Sequence, residues 1–165
     1  MATTTDLKLS VLTKLERDHR KAEGLLKKLA KPKEASAHQA LVDELLAAMA
    51  AHMDLEEQQL YPLLEDIDGD MAREARTEHG LARTGLQQMA ALVGQPGFGA
   101  AVAMVRAGIS HHVEEEEGEA FPKIRRSLGS SGNGTGPRAR KAPTTPRTSA
   151  RASTPGSKAR SRQST

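Results

Sequence analysis

Residues 52–62, HMDLEEQQLYP, and residues 112–122, HVEEEEGEAFP, carry one pattern twice. Each opens on a histidine, places a glutamate four residues later (Glu56, Glu116) and ends on an aromatic–proline pair (Tyr61-Pro62, Phe121-Pro122). The offset between the copies is 60 residues. The same offset relates His19 to His79, each preceded by an acid, Asp18 and Glu78. A repeat of this kind reads as one supersecondary unit used twice: a helix with one histidine, then a helix with His-x-x-x-Glu.

Working outward, apolar residues recur at helical spacing in four segments. The first carries Leu12, Leu15, His19, Ala22, Leu26 and Leu29. The second carries Leu41, Leu45, Ala48 and His52, with Ser36 and Gln39 reading as a capping box at its start. The third runs through Met71, Ala75, His79, Ala82, Leu86, Met89 and Val93, and the fourth through Val102, Val105, Ile109, His112 and Glu116. Turn chemistry separates them at Lys31-Pro32-Lys33, Asp66–Gly69 and Gly94–Gly97. Short connections make consecutive helices antiparallel neighbours, so residues 1–126 are expected to form an all-α, up-down-up-down four-helix bundle.

Composition agrees with helices. Aromatics make up 2% of the 165 residues, too few for a sandwich or barrel of ordinary type. The net charge of +3 conceals an asymmetry: residues 1–126 hold 16 Lys and Arg against all 21 Asp and Glu, whereas residues 127–165 hold 8 cations and no acid. That tail has one Leu and no other large apolar side chain. It cannot bury enough surface to offset its ordering entropy and is expected to be disordered. The absence of cysteine excludes disulfides, thiolate metal sites and thiol catalysis. No apolar run is long enough to span a bilayer and the first twenty residues do not resemble a secretory signal. The expectation is a cytoplasmic protein with no membrane contact.

The histidines and glutamates of the repeat point to a metal site. His and Glu at i and i+4 share a helix face. In antiparallel helices, residues equidistant from a turn lie at one height. The midpoint of His19 and His52 falls at 35–36, that of Glu56 and His79 at 67–68, and that of His79 and His112 at 95–96, each in or near a turn. His19, His52, Glu56, His79, His112 and Glu116 therefore converge on one level of the core. Two carboxylates buried there without partners would be very costly, and a pair of divalent cations removes the cost. Four imidazoles and two carboxylates suit iron, with manganese or zinc also compatible with the ligand types.

Other candidates rank lower. His38 lies off the repeat and reads as a surface residue. His111 and Glu115 share the i, i+4 spacing, but counting back from Pro122 selects His112 and Glu116. Glu57 and Glu117 are runner-up ligands. Tyr61 reads first as a packing residue at the end of the bundle, with a supporting or radical role as the lesser option.

On Asp18-His19, HMDLEEQQLYP, Glu78-His79 and HVEEEEGEAFP, the chain resembles the hemerythrin-like, HHE cation-binding family over roughly residues 7–125. The form is that of its bacterial members with an H–HxxxE–H–HxxxE set. The resemblance implies a four-helix bundle holding two non-haem iron ions with bridging carboxylates, ligated by His19, His52, Glu56, His79, His112 and Glu116. It also implies oxygen binding and a place in oxidative stress. Oxygen carriers of the family have a further histidine four residues beyond the one matching His79, where this chain has Arg83. An iron with one ligand fewer is more open to added ligands, which favours reaction over carriage.

Three functions follow as expectations. The first is binding of, or reaction with, dioxygen, hydrogen peroxide or nitric oxide, including catalase-like peroxide decomposition. The second is an oxygen, redox or iron sensor without turnover. The third belongs to the tail, whose eight cations suit sequence-independent contact with nucleic acid phosphates, the alternative being a solubilising extension.

Overall fold

The computed structural model describes residues 3–131, and these are all-helical. Helix α1 spans Thr4–Leu29 and α2 spans Ala35–Leu55. A five-residue π turn, Glu56–Leu60, carries α2 into α3, Tyr61–Ile67. Helix α4 covers Gly69–Ala91 and α5 covers Phe98–Glu115, and a second π turn, Glu116–Ala120, leads into α6, Phe121–Ser131. Each His-x-x-x-Glu segment therefore lies on one nearly continuous rod, giving four rods in all. Rod neighbours form a ring: α1 packs on α2 and α5, and α4 packs on α5 and α2. The described residues thus form the expected four-helix bundle.

Local chemistry explains where the helices begin and break. The α1 start is a capping box between Thr3 and Asp6. The box expected at Ser36 and Gln39 does not form: α2 starts at Ala35 with Glu34 as its cap and no side-chain cap bond. Ser36 already lies inside the first turn, and the Gln39 amide donates to Asp43 instead, at 2.8 Å. Asp68 leaves the helical region, and its side chain accepts the Met71 N–H at 3.2 Å, ending α3 and capping α4. Between α4 and α5, Gly94 (φ 73°) and Gly97 (φ 95°) take left-handed conformations that favour glycine.

The π turns trace to Pro62 and Pro122. Proline has no N–H to give and its ring clashes with the carbonyl four residues back. The backbone widens by one residue just before each proline, so that Tyr61 N–H bonds Glu56 O and Phe121 N–H bonds Glu116 O, five residues back. Single π turns of this kind recur at functional sites.

The bundle end beyond the second π turn departs from expectation. Helix α6 continues to Ser131, so residues 127–131 are helical and do not belong to the tail placed at 127–165. Leu128 packs on the cluster that holds Phe121 and Ile124, extending their apolar stripe by one more step. The rest of the expected disordered basic tail, from residue 132, lies outside the described residues.

Apolar side chains form two clusters. One contains Leu25, Leu26, Leu45, Leu86, Phe98 and Val102, the other Leu12, Leu15, Leu60, Tyr61, Leu64, Phe121 and Ile124. Polar side chains occupy the level between them.

Candidate metal centre

His19, His52, Glu56, His79, His112 and Glu116 are the buried polar residues of the described chain, each no more than 5% exposed. His19 sits one helical step from Leu15 and Ala22 on the buried face of α1, and His79 follows Ala75 on α4. His52 and His112 lie in the last turns of α2 and α5, and Glu56 and Glu116 open the two π turns. The structure thus brings together all six residues singled out by spacing.

They form two overlapping groups of four: His19, His52, Glu56 and Glu116, and Glu56, His79, His112 and Glu116. Within each group one donor atom per residue lies within 4.8 Å of the others. The two glutamates are common to both. Glu56 Oε1 lies 3.2 Å from His52 Nε2 and 3.8 Å from His19 Nε2, while Glu56 Oε2 lies 3.1 Å from His79 Nε2. Glu116 Oε2 is 3.5 Å from both His19 Nε2 and His112 Nε2. Donors about 2.1 Å from one ion stand about 3.0–3.4 Å apart in octahedral or tetrahedral arrangements, close to these separations.

The outward side of the histidines carries a second ring of carboxylates. His19 Nδ1 donates to Glu117 Oε1 at 2.8 Å, His79 Nδ1 to Glu57 Oε1 at 2.9 Å and His112 Nδ1 to Glu78 Oε2 at 2.8 Å. Asp18 stands 4.0 Å from His52 Nδ1. The arrangement follows the 60-residue repeat: the acid before one repeat histidine supports the His-x-x-x-Glu histidine of its own half, and the acid after each glutamate supports the histidine of the other half. A carboxylate on Nδ1 fixes the proton there and leaves Nε2 as a lone pair facing inward, the form in which imidazole binds metals.

Three observations show that the residues fit a metal. His19 Nε2, both His52 nitrogens, both Glu56 oxygens and Glu116 Oε2 are buried without a hydrogen-bond partner, whereas buried polar groups are almost always paired. His79 Nε2 and His112 Nε2 face each other at 3.3 Å, although both rings have their Nδ1 protons committed to carboxylates. Two lone pairs so placed can bind one cation together. The charge balance points the same way. Burial, then the neighbouring Glu116 charge, pushes the Glu56 carboxyl far up, while in Glu116 the effect of burial is outweighed by the histidines that surround it, which pull it down. Burial, reinforced by His19, lowers His52 to about 3, so its ring is neutral and ready to ligate.

The two halves differ at one point. Tyr61 is fully buried and its hydroxyl lies 2.7 Å from His79 Nε2 and 3.2 Å from Glu116 Oε1. Burial, then the Glu116 and Glu56 charges, raises its ionisation so far that it remains a phenol and a donor. Its counterpart Phe121 stacks on His19 with ring centroids 5.9 Å apart. Arg83 turns outward: Nη1 donates to Glu57 at 2.9 Å, bracing the carboxylate that holds His79. Arg20 similarly pairs with Glu117.

Of the lesser candidates, Glu57 and Glu117 stand behind histidines and do not face the centre, and Tyr61 reaches into it as well as packing. His111 is 63% exposed and pairs with Glu115 and Glu78 outside the core. His38 is half-buried at the bundle surface: its Nε2 lies 3.1 Å from Lys31 O and its ring packs on Phe98. Sequence reasoning missed the role of Glu78, although its place before a repeat histidine was a usable signal.

Compared with known protein families, residues 10–124 match the hemerythrin HHE cation-binding domain. The chain belongs to that family, and cation binding is what its buried His/Glu centre provides for. No curated protein and no solved structure matches the chain. Among the described residues no helix is long and apolar enough to cross a membrane.

Proposed function

We propose that this bundle, read as an antiparallel up-down-up-down arrangement, is a cytoplasmic non-haem di-iron protein that reacts with small oxidants and decomposes hydrogen peroxide. His19, His52, Glu56, His79, His112 and Glu116 would hold the ions, Glu56 and Glu116 being the residues common to both groups of donors. The observation that carries the reading is a buried His/Glu cluster drawn from four helical rods, in which donor atoms of His19, His52, Glu56 and Glu116 have no hydrogen-bond partner. Iron bound there supplies a redox couple and coordination positions that six protein ligands leave open.

The chain's own residues do the rest. Glu57, Glu78 and Glu117 hold three imidazoles in the Nε2-inward form. The apolar clusters above and below lower the local dielectric around the buried centre, which strengthens each electrostatic contact inside. Tyr61 keeps a phenolic O–H beside His79 and Glu116, where it can donate a hydrogen bond to a peroxide oxygen. Peroxide decomposition balances without another reactant: one molecule is oxidised to dioxygen while a second is reduced to two waters.

The test is protein purified from iron-supplied cells, analysed for metal and mixed with hydrogen peroxide. The reading predicts bound iron, an oxo-bridged di-iron absorption spectrum and dioxygen release, with iron lost in His112→Ala. Protein without iron, or a His112→Ala variant with its full complement, contradicts it. A persistent dioxygen or nitric oxide adduct with no peroxide decomposition would replace turnover by sensing.

A further inference from the structure

The two halves of the repeat differ on the outer face of the bundle as well. Between α4 and α5 runs a cleft of about 640 Å³ whose inner wall includes His79 and His112 and whose flanks include Met49, Met53, Val105 and Ile109. Ligand sites for organic molecules span about 300–1,000 Å³, whereas a water-sized ligand needs about 30 Å³. The cleft is thus an order of magnitude too large for dioxygen or hydrogen peroxide alone.

The first half serves as an internal control. Moving 60 residues back converts Gly85 to Leu25, Gly108 to Ala48, Leu81 to Lys21 and Met104 to Glu44. Leu25 is buried at 3% exposure, and Lys21 and Glu44 close the rim with an ion pair at 3.0 Å. In the second half Gly85 and Gly108 leave that space open, and the rim carries Leu81 and Met104, 70% and 77% exposed. Glycine inside a helix costs about 1 kcal/mol relative to alanine. Apart from Glu78, already turned to His112, the cleft lining has no acid, lysine or arginine.

We propose that this cleft binds the alkyl chain of an organic oxidant, an alkyl hydroperoxide, with its oxygen-bearing head at His79 and His112. The inference rests on the di-iron reading for the head and on the cleft alone for the chain. It concerns binding, and no bond changes in it. An uncharged lining suits an apolar chain. The continuity of the cleft with two of the centre's histidines sets its direction.

The probe is 1-octanol, added to the zinc-loaded full-length chain, with carbon-13 methyl resonances of methionine as the readout and zinc content measured on the same sample. Met49, Met53 and Met104 should shift and saturate, while Met71 and Met89, which do not line the cleft, stay in place. Affinity should rise about fourfold per methylene from 1-butanol to 1-octanol. Gly85→Leu, which copies the first half and whose Cβ would meet Val105 Cγ2 at an ordinary 3.4 Å, should weaken binding at least tenfold. The double variant Leu81→Lys, Met104→Glu, which copies the closed rim, should weaken it as well. Zinc bound with no methyl shift overturns the cleft and leaves the metal centre standing; shifts without zinc support the cleft and count against the centre. Methyl shifts that track protein concentration and ignore octanol would assign the face to a second copy of the chain and overturn the proposal.

Discussion

At the scale of residues, the centre works as two nested shells, and the outer one makes the inner one usable. Glu57 accepts the His79 Nδ1 proton and is itself held by Arg83. Outer carboxylates of this kind typically carry a 10- to 100-fold effect on metal affinity. Glu57→Gln should accordingly weaken metal binding by about that factor with little loss of helix, as read by competition with a chelator; unchanged affinity would remove Glu57 from the centre. Tyr61→Phe copies the residue of the other half, Phe121, so the fold and the metal content should survive. Peroxide decomposition should slow by about tenfold or more, since a hydrogen-bond donor to the reacting oxygen is lost. An unaffected rate would leave Tyr61 a packing residue. The six inward side chains were legible in the sequence because His-x-x-x-Glu and the repeat fix both spacing and face. Of the outer carboxylates, Glu57 and Glu117 could be singled out only as runner-up ligands. That they stand behind His79 and His19 depends on the approach of the other half of the repeat, which local spacing does not show.

At the scale of elements, the two π turns connect the ligands to the packing that holds them. Each begins on a glutamate of the centre and ends beside an aromatic ring in the lower apolar cluster. Deleting the exposed Gln58 would remove the residue that widens the first turn and set the Pro62 ring against the carbonyl four residues back, displacing Glu56 and Tyr61. Far-UV circular dichroism should then stay nearly native, while Tyr61 leaves His79 and metal content falls sharply; a deletion variant with native metal content would contradict this role. The aromatic–proline pairs were visible in the sequence, but the widened turn follows from where the missing N–H and the ring clash fall, which spacing alone does not show. Capping behaved similarly. Ser36 and Gln39 match the pattern of a box, yet α2 had already begun at Ala35. Asp68 caps α4 and also meets Lys123 of α6 at 2.9 Å. Asp68→Ala should lower the thermal midpoint by a few degrees, measured by calorimetry, and an unchanged midpoint would mean that the cap carries no weight.

For the whole molecule, the duplicated unit explains why a polar level can sit in the middle of a small core. Four rods contribute matched residues, the apolar clusters close the centre on both sides, and a cation takes up donor atoms that nothing else in the bundle satisfies. Stability and metal are therefore linked. Each buried donor left unpaired costs about 1–3 kcal/mol, so stripping the metal with a chelator should lower the melting temperature by about 10 °C or more, and restoring it should recover the loss. Equal melting temperatures with and without metal would contradict that linkage. The helices and the meeting of the six residues were readable from the sequence, because each sits on the apolar stripe of its helix at helical spacing. The end of the last rod was misplaced at Arg126, because one more apolar contact, Leu128, carries the helix on to Ser131. The central claim is that the six residues hold a pair of coupled iron ions. Iron analysis combined with a Mössbauer spectrum of the oxidised protein tests it most directly. About two irons per chain with an antiferromagnetically coupled, diamagnetic ground state is the predicted result; one magnetically isolated iron per chain, or none, would contradict it.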